Sequence, residues 1–260
     1  MSNAESNNRQ KTLMTPDNKP ALGAWLEDFF QSSAILRLGQ GDDEDNAPLS
    51  ACFQMSPQGE NCPVTLVLGE NASGKSFVLR LLAMNLSTTY ERAEALQVSM
   101  RYRTRGGMHQ SFMYGPFGDG QNSTGATSMV AVGGAFRTAK NRTTPTLVVL
   151  DEADTGLSES YGYAFGALAA GHAVEGLGDY CLGLAMVTHS REAVRGLVER
   201  LGYTPHVAYL GGTTFDLGQW LDGPLVRYSI EQLEGLNRAS IDQYRAIDRF
   251  VAARTKANGT

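Results

Sequence analysis

The chain has 260 residues, enough for one large domain or two small ones, and its 42% apolar and 19% charged content suits a globular protein with a sizeable core. A net charge of −5 excludes a global positive field drawing it to nucleic acid or anionic lipid. Cys52, Cys62 and Cys181 are scattered without a CxxC, which speaks against a disulfide frame or a zinc site. With no apolar N-terminal segment and no membrane-length apolar run, membrane insertion is not expected and the location is expected to be cytoplasmic.

Residues 1 to 20, rich in Asn, Ser, Lys and Pro, are expected to be a disordered tail, and residues 21 to 260 a single domain. Ala21 to Phe30 reads as a short helix with Trp25, Leu26, Phe29 and Phe30 on one side. "GQGDDEDNAP", residues 39 to 48, is an acidic solvated loop that lacks the ligand alternation of a calcium loop. Ser50 to Met55 alternates weakly, as a strand would. The continuous apolar run from 63 to 68 predicts a buried parallel strand, with a helix over Ser76 to Asn85.

Residues 97 to 115 alternate on both sides of Gly106-Gly107 and predict a hairpin. Arg101, Arg103 and Arg105 would share one face of it. With Arg137, Lys140 and Arg142 they form a basic surface open to nucleic acid or a partner, although charge that guards a strand edge is the plainer reading. A Gly-rich loop follows, then a helix over Ser128 to Lys140 in which Gly133-Gly134 fits close packing. Further on are strands at 146–150, 182–188 and 207–210 and helices at 161–170 and 191–201. A helical tail from Ser229 to Lys256 carries Ile241, Tyr244, Ile247, Phe250 and Val251 on one stripe. Strands alternating with helices predict an α/β fold with mostly right-handed crossovers.

Three motifs carry chemistry. Gly69-Glu70-Asn71-Ala72-Ser73-Gly74-Lys75-Ser76 matches the P-loop pattern between a strand and a helix. Its glycines let backbone N–H groups surround phosphate oxygens, Lys75 would reach the β- and γ-phosphates, and the Ser76 hydroxyl would ligate Mg²⁺. In "LVVLDE", Asp151 emerges at the carboxyl end of a buried strand, where it would hold Mg²⁺ through water. Glu152 would polarise the attacking water. His189, at the end of "MVTHS", is placed to hydrogen-bond the γ-phosphate or that water.

The order P-loop, "LDEAD", "THS" resembles the ABC-type ATPases, the superfamily of transporter motors, SMC/RecF-type proteins and MutS. The motifs span residues 63 to 190, about half the chain. The resemblance implies a P-loop NTPase fold of ABC type: a mostly parallel sheet flanked by helices, an antiparallel N-terminal β lobe, and a short signature-helix lobe over about residues 86 to 140. In "NSTGATSMVAVGGAFRTA", Ser123 falls at the family's signature serine and Gly125 at its second glycine, while Asn122, Thr124 and Ala126 depart from the pattern. That segment would cap the γ-phosphate of an opposite subunit, so the resemblance implies a homodimer closed around two Mg-ATP. Asp154 to Ser158 is similar to the family's D-loop, with Ser158 where an Asp is expected. Gln97 and Gln110 are both open for the Q-loop ligand of Mg²⁺, and Gln110 is favoured.

The short stretch between Lys75 and Asp151 has no coiled coil and no long helical insert, and is most like stand-alone RecF/SMC-like ATPases. The expectation is therefore an ATPase that drives or gates a partner such as a nuclease or effector in a DNA-related or phage-defence complex. The alternatives are an ATP-dependent clamp with little hydrolysis and the motor subunit of a membrane transporter.

Overall fold

The computed structural model describes residues 11–38, 47–99 and 124–258. Seven strands, β1 (Leu36–Leu38), β2 (Leu49–Gln54), β3 (Val64–Gly69), β4 (Glu94–Ser99), β5 (Thr146–Asp151), β6 (Cys181–Val187) and β7 (His206–Leu210), make one sheet in the order β1-β2-β7-β3-β6-β5-β4. Every neighbouring pair is parallel except β2 with β7. The helices are α1 (Leu22–Ser32), α2 (Lys75–Thr89), α3 (Thr124–Asn141), α4 (Glu159–Glu175), α5 (Arg191–Leu201), α6 (Leu217–Asp222) and α7 (Ile230–Asn258). None is long and apolar enough to cross a membrane, among the described residues.

The central strands are apolar at nearly every position because both faces of the sheet are covered. Side chains alternate across a strand, so β3 sends Leu66 and Leu68 to one face and Val67 to the other. In β5, Val148 and Leu150 oppose Leu147 and Val149 in the same way. The first face packs on α3 (Val132, Phe136), α4 (Phe165, Ala169) and α5 (Val194, Leu197). The second packs on α1 (Trp25, Leu26, Phe30) and α2 (Val78, Leu79, Leu82).

Helices α4 and α5 approach backbone to backbone. A Cβ on Gly166 would lie 1.7 Å from the Ala193 carbonyl oxygen, and one on Gly196 would lie 2.0 Å from that of Tyr163, so any larger residue at either position forces the helices apart. This contact holds the start of α5, and the β6–α5 loop before it, against α4.

Two expectations are corrected. Lys11 to Pro20 is ordered: Thr12 bridges to Tyr90, and Met14 is buried at 2% exposure, because this segment closes the edge of the second core layer. Strands β1 and β2 belong to the main sheet, β2 pairing with β7 and β1 with β2, and among the described residues do not form a separate antiparallel lobe. Of the expected 97–115 hairpin, Gln97 to Ser99 are described, within β4, which pairs in parallel with β5; the remainder lies outside the described residues. Of the expected signature lobe, residues 86–99 and 124–140 are described, and there α3 packs on β4 and β5. Most of the acidic loop, residues 39 to 46, also lies outside the described residues. On α7, only Ile247 of the predicted stripe is buried, whereas Ile241, Tyr244 and Val251 are exposed.

His206, at the start of β7, is fully buried. The Ser56 N–H donates to its Nδ1 (3.1 Å), and its Nε2 lies 3.1 Å from the Cys62 carbonyl. An accepting Nδ1 and a donating Nε2 define the neutral imidazole, and burial lowers its pKa from the ordinary 6.5. With the folded pKa below the unfolded one, this stability is whole above about pH 6.5 and is lost as pH falls from there toward the folded value. The denaturant midpoint is expected to drop between pH 7 and pH 5, and to drop less steeply in His206→Asn. Equal slopes in the two proteins would refute this account.

Candidate functional site

The site lies at the carboxyl ends of four adjacent parallel strands, β3, β6, β5 and β4, the edge at which open α/β sheets hold ligands. Gly69 ends β3 with φ = 145°, and a Cβ there would lie 2.4 Å from the Leu210 carbonyl oxygen and 2.6 Å from the Ser73 hydroxyl. Only glycine allows the loop to turn this close to β7. Ala72 (φ 61°) and Gly74 (φ 95°) take the left-handed conformation, and α2 begins at Lys75 immediately afterwards. The first N–H groups of a helix have no intrahelical partner and carry partial positive charge, which suits an anion.

Lys75 is 5% exposed, and its ammonium folds back over the loop to donate to the carbonyls of Gly69 and Glu70, each at 2.8 Å. Among the described residues, the Ser73 hydroxyl is one of three buried side-chain polar groups with no hydrogen-bond partner. An orphaned hydroxyl inside a loop of left-handed residues is a place an anion's oxygen would satisfy.

Asp151, 2% exposed at the end of β5, is the hub of the site. Ser76 Oγ donates to its Oδ1 (3.2 Å), while Ser99 Oγ (3.2 Å) and Gln97 Nε2 (3.5 Å) reach its Oδ2. The alternation of β4 puts Gln97 and Ser99 on one face, and Ser99 sits opposite Asp151 in register. Of the two candidate glutamines the structure thus brings Gln97 to Asp151; the favoured Gln110 lies outside the described residues.

Glu152 is the next residue, and its backbone is left-handed (φ 53°), pinned by its N–H donating to the Val187 carbonyl (3.0 Å). His189 Nε2 lies 3.4 Å from Glu152 Oε1, and both side chains are partly open to solvent. Beneath them Thr188 Oγ1 donates to Asp154 Oδ2 (2.6 Å) and accepts from the Ser190 N–H (2.8 Å), which latches the loop after β5 to the loop after β6. Burial pushes the Asp154 carboxyl above its usual range, against the Thr188 hydrogen bond that lowers it.

Ser76 thus meets Asp151, the loop residues Asn71 to Ser76 and Glu152 line one cleft, and His189 lies beside Glu152. Gly125 is buried in the first turn of α3, where a Cβ would lie 2.7 Å from Leu157, so it packs on the turn after Glu152. Ser123, Arg101, Arg103 and Arg105 lie outside the described residues.

Ser99 and Thr188 were not anticipated as partners. A strand-end Ser two positions after Gln97, and the Thr before His189, were the available signals. No group of three or more His, Cys, Asp or Glu arranged to hold a metal ion is present among the described residues. One carboxylate and one hydroxyl nonetheless suit Mg²⁺, a hard cation that keeps much of its shell as water and phosphate oxygen.

Compared with models of protein families, with curated proteins and with solved structures, the chain gives no match. What stands is the architecture, an α/β fold with a mostly parallel, helix-flanked sheet, and the polar site at its strand ends.

The positive φ at Glu152 costs about 1–2 kcal/mol for a residue with a Cβ, and more for a β-branched one. Glu152→Gly is expected to unfold at the same or a higher denaturant concentration than the original chain, and Glu152→Val about 1–2 kcal/mol less stably than Glu152→Gly. Equal stability of the Val and Gly variants would show that this backbone is not held in solution.

Proposed function

We propose that the chain is an ATPase of the ABC type, which binds ATP with Mg²⁺ at the Gly69–Ser76 loop and hydrolyses it. The reading is carried by the meeting of Ser76 with Asp151 at 3.2 Å, with Glu152 adjacent and His189 3.4 Å from it. A phosphate-shaped loop, a hydroxyl–carboxylate pair and a second carboxylate beside a histidine are the groups that phosphoryl transfer requires: anion binding, charge neutralisation and water positioning.

In this reading Lys75 leaves the Gly69 and Glu70 carbonyls for phosphate oxygens, and the Ser73 hydroxyl gains its missing partner. Ser76 and Asp151 would hold Mg²⁺, steadied by Ser99 and Gln97; when bound it neutralises charge on the β- and γ-phosphates. Glu152 orients a water and takes its proton as the water oxygen bonds to the γ-phosphorus. The bond from that phosphorus to the β–γ bridging oxygen breaks, leaving ADP and phosphate. His189 fixes the Glu152 carboxylate and hydrogen-bonds the transferred group. By resemblance, two copies close head to tail so that Ser123 and Gly125 of each cap the nucleotide of the other.

Lys75→Ala is expected to weaken ATP binding by a few kcal/mol, the scale of a desolvated charge contact to phosphate, as read by calorimetry. Unchanged affinity would remove the loop from the site.

Glu152→Gln should bind ATP normally but turn it over about two orders of magnitude more slowly or worse, as loss of a general base does. Uncleaved Mg-ATP should then accumulate the dimer by mass action, measured by light scattering. Turnover as fast as in the original chain would refute the role of Glu152, and a monomer at saturating ATP would refute the paired arrangement.

A further inference from the structure

The cleft at the Gly69–Ser76 loop is walled by more than the loop itself. Its near wall runs along the loop and Glu152 to Phe77 and Arg80 of α2, and its far wall is α7, through Ser240, Gln243, Tyr244 and Ile247. These four follow at i, i+3, i+4 and i+7, one stripe of a helix. A helix lying on a core would fill such a stripe with aliphatic residues. Here only Ile247 does so, buried at 5% exposure in the layer that holds Val78 and Leu79 of α2. The other three positions are a hydroxyl, an amide and an aromatic ring.

We propose that α7 is the nucleoside wall of the nucleotide site, with the Tyr244 ring stacking on the base and the Gln243 amide meeting its hydrogen-bonding edge. The inference rests on the nucleotide reading and deepens it by assigning the part of the ligand that the loop cannot recognise. The far end of the cleft offers the chemistry a nucleoside needs. It has two aromatic rings in Phe77 and Tyr244, an amide that both donates and accepts, and a hydroxyl. Arg80 lies with its guanidinium 5.8 Å from the Phe77 ring centre and donates to the Ser76 carbonyl (3.2 Å), which fixes the near wall.

The helix is held close to the loop at two further points. The Gln243 amide nitrogen is 3.6 Å from where a Cβ on Gly74 would sit. Ahead of α7, the carboxylate of Glu70 in the loop pushes the Tyr228 phenol above its usual range. Tyr244 itself is 57% exposed, so its ring keeps surface available to a ligand and can be removed without opening the core.

The test compares ATP with inorganic tripolyphosphate, each titrated with Mg²⁺ into the full chain, Tyr244→Ala and Gln243→Ala by calorimetry. The full chain is expected to bind ATP more tightly than tripolyphosphate. Tyr244→Ala should lose about tenfold in ATP affinity, the scale of one base–aromatic stack, with tripolyphosphate affinity unchanged within about twofold. Gln243→Ala should lose less in the same direction. Retained tripolyphosphate binding also shows that each variant is folded. ATP affinity unchanged in both variants, or a parallel loss for both ligands, overturns the proposal. A gain for both ligands overturns it too, by making α7 a cover over the loop. If the full chain binds neither ligand, the nucleotide reading itself fails; if it binds both and only the variants behave alike, that reading stands and the wall alone is refuted.

Discussion

A single buried carboxylate organises this molecule. β5 is apolar through Leu147, Val148, Val149 and Leu150 and then ends in Asp151, which remains almost wholly inside. An uncompensated carboxylate in such a place costs several kcal/mol. The compensation comes from two other elements, the Ser76 hydroxyl on α2 and the Ser99 hydroxyl with the Gln97 amide on β4. These bonds require β4 to lie beside β5 in its observed register and the start of α2 to reach across the strand ends from β3. The same demand that keeps Asp151 stable therefore assembles the site around it.

The rim of the site is made rigid by contacts that never touch the cleft. The glycines of α4 and α5 let the two helices meet at backbone distance, and this fixes where α5 starts. Ser190 caps that start by accepting from the Ala193 N–H, and Thr188 ties the same loop to Asp154. Glu152 and His189 are thus presented by two loops that cannot move independently. The left-handed backbone at Ala72 and Glu152 marks sharp bends in the two loops that edge the cleft. Backbone strain of this kind persists only where the surroundings hold it.

Much of this was legible in the sequence because local rules carried it. Continuous apolar runs marked β3, β5 and β6. The Gly69–Ser76 pattern marked the strand–loop–helix unit, and the helix read over 191–201 is α5, Arg191 to Leu201. Where reasoning went astray, tertiary context had overridden composition. Lys11 to Pro20 is polar enough to read as a tail, yet Met14 finds a pocket and Thr12 an edge at Tyr90. Residues 49 to 54 read as a strand, yet nothing local told that β2 would join the main sheet through β7.

By itself, then, the sequence determined the α/β class, the strand–loop–helix unit with Lys75 and Ser76, and the placing of Asp151, Glu152 and His189 at strand ends, because each depends on the periodicity and chemistry of a few consecutive residues. The tertiary structure alone decided that Gln97 and Ser99 meet Asp151, that Thr188 latches Asp154, that β1 and β2 join the one sheet, and that α7 crosses the chain to face the loop. Those outcomes depend on which strands become neighbours and where a long helix comes to rest. Such pairings between residues far apart in the chain are settled by burial and by the satisfaction of polar groups over the whole molecule, and no local pattern encodes them.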